Sequence, residues 1–511
     1  MPSNESAKTV TGTETQNQGD PHEGTSMLRE RIGLILGPVL AVAVFLILPD
    51  SLSTAGAATA AIAILMAIWW MTEAIPIPAT ALLPLVLFPL FGVATIEDVA
   101  APYANDIIFL FMGGFVLALA MQRWELHRRI ALRIVSAVGT SPTRLVAGFM
   151  LATAFITMWV SNTATAVMML PIGLSVLTLT NEQSEGKGDS NFATALMLGI
   201  AYASSIGSVA TLIGTPPNAL MAGYLSADHG ISIGFGEWML VGVPLAAVFL
   251  VLAWIVLTKV VFRPKIKQIA GGKELIRTEL HKLGSMSRGE KIVAVVFVLA
   301  ALSWVFIPFL ADTESIGGAL PWLANISDAG IAMAVAVVLF LIPVEPKRGI
   351  AVIDWDSAAK LPWGILLLFG GGLSLSAMFT ATGLSEWIGD QVGFLDAVPT
   401  WVLVAAVAAV VLLLTELTSN TATAATFLPI MGGVAVGLDL SVMTLVIPTA
   451  LAATFAFMLP VATPPNAIAF GSGYVKIGQM VRGGGLLNVI GLVLTMIALY
   501  TLAPLVFNVT L

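Results

Sequence analysis

Ser161-Asn162-Thr163-Ala164-Thr165-Ala166 returns later in the chain as Ser419-Asn420-Thr421-Ala422-Thr423-Ala424, and each copy runs on to Leu-Pro-Ile, at Leu170-Pro171-Ile172 and Leu428-Pro429-Ile430. Both copies interrupt segments that are otherwise apolar. Ser, Asn and Thr compete with the helix ladder for backbone groups and favour caps and turns, so each hexapeptide predicts a break in its helix. Irregular backbone at membrane depth is tolerated only where protein or a water-filled cavity surrounds it. The duplication therefore predicts two breaks brought together away from lipid.

That setting follows from composition. Of 511 residues, 58% are hydrophobic and only 10% charged, against about a quarter in globular domains. Recurring apolar runs of about twenty residues indicate membrane spans, so the chain reads as an all-α polytopic membrane protein. A net charge of -7 argues against a nucleic-acid partner, and the lack of cysteine removes disulfides, thiolate nucleophiles and Cys-bound metals. The four histidines, His22, His127, His229 and His281, fall in the tail or in polar connections.

Working outward from the hexapeptides, residues 1–25 are polar and read as a disordered tail without a secretory core. Arg29 and Arg31 precede the first span, at about 32–48, which places the N-terminus in the cytoplasm. Further spans are expected at about 57–71, 79–91 and 107–121, followed by an interfacial helix carrying Arg123, Arg128, Arg129 and Arg133. Spans at about 192–224 and 238–261 lead to a loop with Lys259, Arg263, Lys265, Lys267, Lys273, Arg277, Lys282, Arg288 and Lys291. Both basic clusters lie on one side only if 145–179 enters and returns. It is read as a re-entrant hairpin with Ser161-Asn162-Thr163 at its tip; two full crossings satisfy the same parity.

The second half repeats this plan, with spans at about 293–309, 331–342 and 363–378, a hairpin over 401–434, and spans at about 442–470 and 486–506. The total is eleven transmembrane helices plus two re-entrant hairpins, with the halves in inverted topology and the C-terminus outside. The span after each hairpin carries its own lesion, Gly214-Thr215-Pro216-Pro217-Asn218 and Ala462-Thr463-Pro464-Pro465-Asn466. The prolines lack N–H groups and are expected to free the carbonyls of Leu212, Ile213, Pro460 and Val461. Proline also suits the first position of the helix that follows.

Released carbonyls, hydroxyls and Asn amides suit a hard cation such as sodium, whereas helix N-termini suit an anion. Neither the tips nor the breaks carry Lys or Arg. An anion there would lean on dipoles, hydroxyls and co-bound cations, which predicts obligatory coupling to a cation. A lone Ser-Asn-Thr is usually a cap and a lone Pro-Pro a tolerated kink; their pairing, in the same order in both halves, points to function. Thr157 and Thr415 sit one turn before each tip as candidate hydroxyl ligands, or else bond back to their own helices. Glu416 is an intramembrane carboxylate with Met158 at the equivalent place, and is read, like Glu73, chiefly as a structural partner. Gly370-Gly371-Gly372 and Gly483-Gly484-Gly485 are read as close helix contacts and a loop. An intramembrane enzyme would need a nucleophile with a base, or a metal cluster, and neither is present in the spans.

These residues resemble the divalent anion:sodium symporters, carriers of dicarboxylates, citrate or sulfate. The resemblance is carried by both Ser-Asn-Thr motifs, both Thr-Pro-Pro-Asn breaks, Met71-Thr72-Glu73-Ala74-Ile75-Pro76, and the stretch running from Phe457-Met458-Leu459-Pro460 into the second break. It implies a homodimer in the plasma membrane whose protomers move a transport part against a scaffold as an elevator. The corresponding division is tail 1–28, scaffold 29–136 and 237–394, transport part 137–236 and 395–475, and a last helix 476–511. It implies one sodium site at Thr157, Ser161, Asn162 and Gly214, and a second at Thr415, Ser419, Asn420 and Ala462. Substrate carboxylates would meet Asn162, Thr163, Thr215, Asn420, Thr421 and Thr463. Thr454, Ala469 and Ser208 depart from the family pattern and bear on fine substrate preference. The implied activity is sodium-coupled uptake of a C4-dicarboxylate; other divalent anions, exchange and a passive channel are the alternatives.

Overall fold

The computed structural model describes residues 21–49, 51–139, 141–183, 188–269 and 271–509. Residues 1–20 of the expected tail lie outside them, and residues 21–28 are helical. The first helix already runs Pro21–Ile47. Proline at the first helical position has no N–H to leave orphaned and a preset φ, so the helix starts well before the apolar run.

Helices dominate. The one sheet among the described residues is a short antiparallel pair, Pro343–Glu345 with Ile350–Ala351, with Pro343 opposite Ala351. Eight helices there are long and apolar enough to cross a membrane: Met27–Ile47, Thr54–Thr72, Ile96–Arg123, Asn162–Glu182, Phe235–Val261, Arg288–Ala311, Trp363–Ala381 and Ile477–Phe507. Other expected spans are made of shorter apolar pieces. The segment expected at 79–91 splits into Ile77–Thr80 and Leu83–Leu90, because Pro84 cannot donate to the Thr80 carbonyl. The span expected at 331–342 is the shorter helix Asp328–Leu341.

Both hexapeptides break their helices as expected. Pro142–Thr157 turns into Asn162–Gln183, and Thr400–Thr415 into Asn420–Gly437. Each pair packs as a helical hairpin. The spans that follow are broken as well, into Ser190–Ser208 and Pro216–His229, and into Met443–Thr454 and Pro464–Gly471. The two halves interleave: Asn162–Gln183 packs on Pro464–Gly471, and Asn420–Gly437 on Pro216–His229. Each half thus completes the burial of the other.

Close backbone approaches fix this arrangement. A Cβ on Gly207 would fall 2.4 Å from Ala154 backbone atoms, locking the first broken span against the first hairpin. A Cβ on Gly484 would fall 2.2 Å from the Phe457 carbonyl oxygen. The expected loop at Gly483-Gly484-Gly485 is therefore corrected: the three glycines lie inside the helix Ile477–Phe507, where they let it touch the second break.

The expected interfacial helix is Leu126–Val138, with Leu126, Ala131, Leu132 and Val135 buried. Arg129 is buried on the same side and donates to Glu290 and to the carbonyls of Gly284 and Leu283, at 2.9 and 3.1 Å for the carbonyls. With Arg129 only 5% and Glu290 3% exposed, removing one partner leaves a buried, uncompensated charge. Arg129→Met is expected to cost about 3 kcal/mol or more, read as a lower melting temperature in detergent. Arg129→Met combined with Glu290→Leu recovers most of that loss.

Candidate functional site

The first hairpin turns through Met158 to Ser161, and the hairpin's second helix starts at Asn162. The Ser161 carbonyl accepts from Thr165 N at 3.0 Å, and its hydroxyl from Ala164 N at 3.3 Å. Ser161 therefore caps that helix while Asn162 and Thr163 begin it. The second tip repeats the carbonyl bond, with Thr423 N donating to the Ser419 carbonyl at 2.9 Å, but the Ser419 hydroxyl makes no capping bond.

Thr157 and Thr415 occupy matching positions behind the tips. The Thr157 hydroxyl donates to Asn162 Oδ1 at 2.6 Å, and the Thr415 hydroxyl lies 2.8 Å from Asn420 Oδ1. Thr415 also lies 2.7 Å from the Ala453 carbonyl oxygen. Both threonines are fully buried and their hydroxyls reach the tip Asn, rather than bonding solely to their own helix. The Asn amides then reach across to the broken spans: Asn162 Nδ2 donates to Ser208 Oγ and Asn420 Nδ2 to the Thr454 carbonyl, each at 3.5 Å. Gly214 closes the first cluster, since a Cβ there would sit 2.2 Å from the Ser208 carbonyl oxygen. Each half thus gathers a hydroxyl, an amide oxygen and nearby carbonyls into one oxygen-rich nook.

The breaks begin earlier than the prolines suggest. Regular helix stops at Ser208 and at Thr454, before rather than at the carbonyls of Leu212, Ile213, Pro460 and Val461. The last residue of each motif ties the unwound stretch. Asn218 Nδ2 donates to the carbonyls of Val209 and Thr211 at 3.1 and 2.9 Å, and Asn466 Nδ2 to those of Ala456 and Leu459, both at 3.1 Å. Trp238 Nε1 adds a bond to Val209 at 2.9 Å. The repetition of Asn after Pro-Pro in both halves was the sequence signal for this tie.

The halves differ where each tip meets its break. In the first, the Thr211 hydroxyl donates to the Met158 carbonyl at 2.6 Å. In the second, the carboxylate of Glu416, 4% exposed, accepts from the backbone N–H groups of Phe457, Met458 and Leu459 at 2.7 to 3.1 Å, and from Asn488 Nδ2 at 2.7 Å. Glu416 is the structural partner expected of it. The group it satisfies is unwound backbone together with an amide on the last helix.

All of this surrounds one cavity of about 530 Å³. Ser161, Asn162, Thr163, Gly214 and Thr215 line it from the first half, and Ser419, Asn420, Thr421, Ala462 and Thr463 from the second. The six residues expected to meet substrate all reach its wall; Thr157 and Thr415 lie behind it. Four helix N-termini, at Asn162, Pro216, Asn420 and Pro464, open on the same space. Such ends carry about half a positive charge each and present free N–H groups, which favours an anion. The tips and breaks carry no Lys or Arg, but Arg29 and Glu73 also line the cavity. Arg29 read as a topology signal and Glu73 as a span end, because nothing local in the sequence ties either to a site more than eighty residues away.

The chain matches the family model described as the sodium:sulfate symporter transmembrane region over residues 30–508. It is 45% identical over 484 residues to the sodium-dependent dicarboxylate transporter SdcS of Staphylococcus saprophyticus, covering 94% of this chain and 92% of that protein. The Staphylococcus aureus transporter of the same name is 42% identical with the same coverage. Among solved structures, the YdaH transporter of Alcanivorax borkumensis aligns with a TM-score of 0.51 at 13% identity, over 85% of this chain and 97% of that one. MtrF of Neisseria gonorrhoeae aligns with a TM-score of 0.52 at 11% identity, over 93% and 94%. These two likenesses concern the fold alone.

Glu416→Gln replaces one acceptor oxygen by an N–H donor that faces other donors. The variant is expected to lose about 1–3 kcal/mol, seen as a lower melting temperature, whereas Met158→Gln in the first half is close to neutral.

Proposed function

The chain belongs to the divalent anion:sodium symporter family, and from that premise we propose that it is a sodium-coupled secondary transporter of C4-dicarboxylates such as succinate, malate and fumarate. Membership of that family makes it a multi-pass membrane transporter and not an enzyme. The dicarboxylate class is supported by the names of its relatives. The observation that carries the reading is the single cavity lined by both Ser-Asn-Thr tips and both Thr-Pro-Pro breaks.

In this reading sodium ions occupy the two oxygen-rich nooks, one at Thr157, Ser161, Asn162 and Gly214 and one at Thr415, Ser419, Asn420 and Ala462. The ions neutralise the carbonyl and hydroxyl dipoles that would otherwise repel an anion. The substrate carboxylates then take the helix N-termini, Asn162, Thr163 and Thr215 on one side, and Asn420, Thr421 and Thr463 on the other. Cation and anion binding become linked through the tip Asn residues, each of which offers its Oδ1 to one nook while its backbone N–H belongs to a helix N-terminus. Linkage of that kind makes the anion's affinity depend on sodium.

The hairpins re-enter rather than cross. The meeting of their tips with the breaks of both spans at one cavity supports that reading. With re-entry the count is eleven spans in two inverted repeats, in the plasma membrane, with the N-terminus cytoplasmic and the C-terminus outside. Residues 137–236 and 395–475 form the moving part and 29–136 with 237–394 the scaffold, in a homodimer working as an elevator. The interleaving of the two hairpins with the two broken spans supports their moving as one body.

Purified protein in liposomes is expected to accumulate labelled succinate only on an inward sodium gradient; equal uptake with choline replacing sodium rejects the coupling. Excess unlabelled sulfate or citrate that competes better than malate would move the assignment to those anions. Asn162→Ala and Asn420→Ala are each expected to reduce uptake by at least about tenfold, the loss of one charged-group hydrogen bond, with folding retained. Near-normal uptake in either variant refutes the two-nook arrangement.

A further inference from the structure

Arg29 on the first helix, Pro21–Ile47, and Glu73, the residue that caps the second, Thr54–Thr72, line the same cavity as the hairpin tips. The two helices pack closely at two glycines: a Cβ on Gly33 would fall 1.9 Å from Thr72 Oγ1, and one on Gly37 2.5 Å from Trp69 Nε1. Arg29 stands one turn before Gly33 on the same helix face, and Glu73 directly follows Thr72. The contact at Gly33 therefore sets the two charges side by side, with Arg29 Nη2 3.4 Å from Glu73 Oε1. Among the described residues lining the cavity, Arg29 is the one cation and Glu73 the one carboxylate.

Two further features mark this pair. Glu73 ends its helix in the left-handed region, at φ 53, where glycine is the unstrained choice. Arg29 Nε is buried without a hydrogen-bond partner among the described residues, so the guanidinium has donor capacity that Glu73 leaves unused. The side chains are 41% and 47% exposed, and an ion pair this open is weak and readily exchanged for another carboxylate.

We propose that Arg29 is a specificity-determining residue for the transported dianion: its guanidinium exchanges Glu73 for one substrate carboxylate while the other rests on the helix N-termini across the cavity. The inference rests on the proposed function. A dicarboxylate carries two charges, while the tips and breaks offer only neutral donors and the sodium nooks. Arg29 supplies the one side-chain cation that can meet a carboxylate directly, and a planar guanidinium matches a carboxylate with two parallel N–H groups. Glu73 holds that guanidinium in place when the cavity is empty, and a substrate carboxylate displaces it. Because Arg29 sits on the first helix and the tips on the hairpins, the contact exists only when these two elements face each other. Its effect is confined to one side of the membrane.

The test is succinate transport by the full chain in liposomes, measured separately from each face at saturating sodium. The chain has no cysteine, so one introduced cysteine and an impermeant thiol reagent select a single orientation. Arg29→Gln is expected to raise half-saturating succinate on the order of fivefold on one face, leaving the other face and the sodium half-saturation unchanged. Arg29→Lys restores most of the loss, and Glu73→Gln lowers half-saturating succinate on that same face. No change on either face for Arg29→Gln overturns the proposal, as does an equal rise on both faces accompanied by a lower melting temperature. If Arg29→Gln fails to fold, Glu73→Gln and Arg29→Lys decide, and unchanged half-saturation in Glu73→Gln overturns it. Failure of the wild-type chain to move succinate on a sodium gradient is a separate result, visible before any variant is made, and defeats the transport reading together with this inference.

Discussion

Backbone N–H and C=O groups inside a bilayer have no water to turn to, and each unsatisfied one costs several kcal/mol. This chain breaks four apolar segments all the same, and the structure depends on how those breaks are satisfied. Asn218 and Asn466 tie the carbonyls of the unwound stretches, and the Ser161 and Ser419 carbonyls accept the first turns of the helices that restart at the tips. Helix N-termini and hydroxyls of the tips and breaks line one cavity. The compensation that makes the breaks tolerable is also what concentrates polar groups where an ion can use them.

The two halves solve the same problem with different chemistry. Thr211 bonds a carbonyl of the first tip, a neutral contact. Glu416 gathers three backbone N–H groups and the Asn488 amide, an anionic contact reaching the last helix. Close packing at Gly484 against the Phe457 carbonyl belongs to the same junction. Each break is thus tied to the helix that follows it, the second to Ile477–Phe507 through Glu416 and Asn488 and the first to Phe235–Ile255 through Trp238 Nε1 and the close approach of Gly242 to the Val209 carbonyl. Duplication supplied the plan, and the later differences fitted each copy to its surroundings.

Much of the site was legible because its residues are duplicated. Ser161-Asn162-Thr163 and its twin stand out against apolar surroundings, and both mark tips; Thr157 and Thr415 follow from helical spacing, and both reach the tip Asn. The breaks were legible from Pro216-Pro217 and Pro464-Pro465, but their starting points were not, since a helix can stop several residues ahead of a proline when a side chain such as Asn218 rewards the unwound form. Gly483-Gly484-Gly485 read as partly loop because glycine is a poor helix former; only the approach of Phe457 explains their place inside a helix. Arg29 was invisible as a site residue because its link to the cavity runs through a packing contact at Gly33. The start of the first helix at Pro21 was hidden likewise, in a polar composition that resembles a tail.

The account turns on one claim, that an anion enters this cavity only with cations already in the oxygen nooks. Equilibrium binding tests it without transport: succinate titrated calorimetrically into detergent-solubilised wild-type protein, in sodium chloride and in choline chloride of equal concentration. The account predicts saturable binding in sodium and no detectable binding in choline. Equal affinity in the two salts would contradict it.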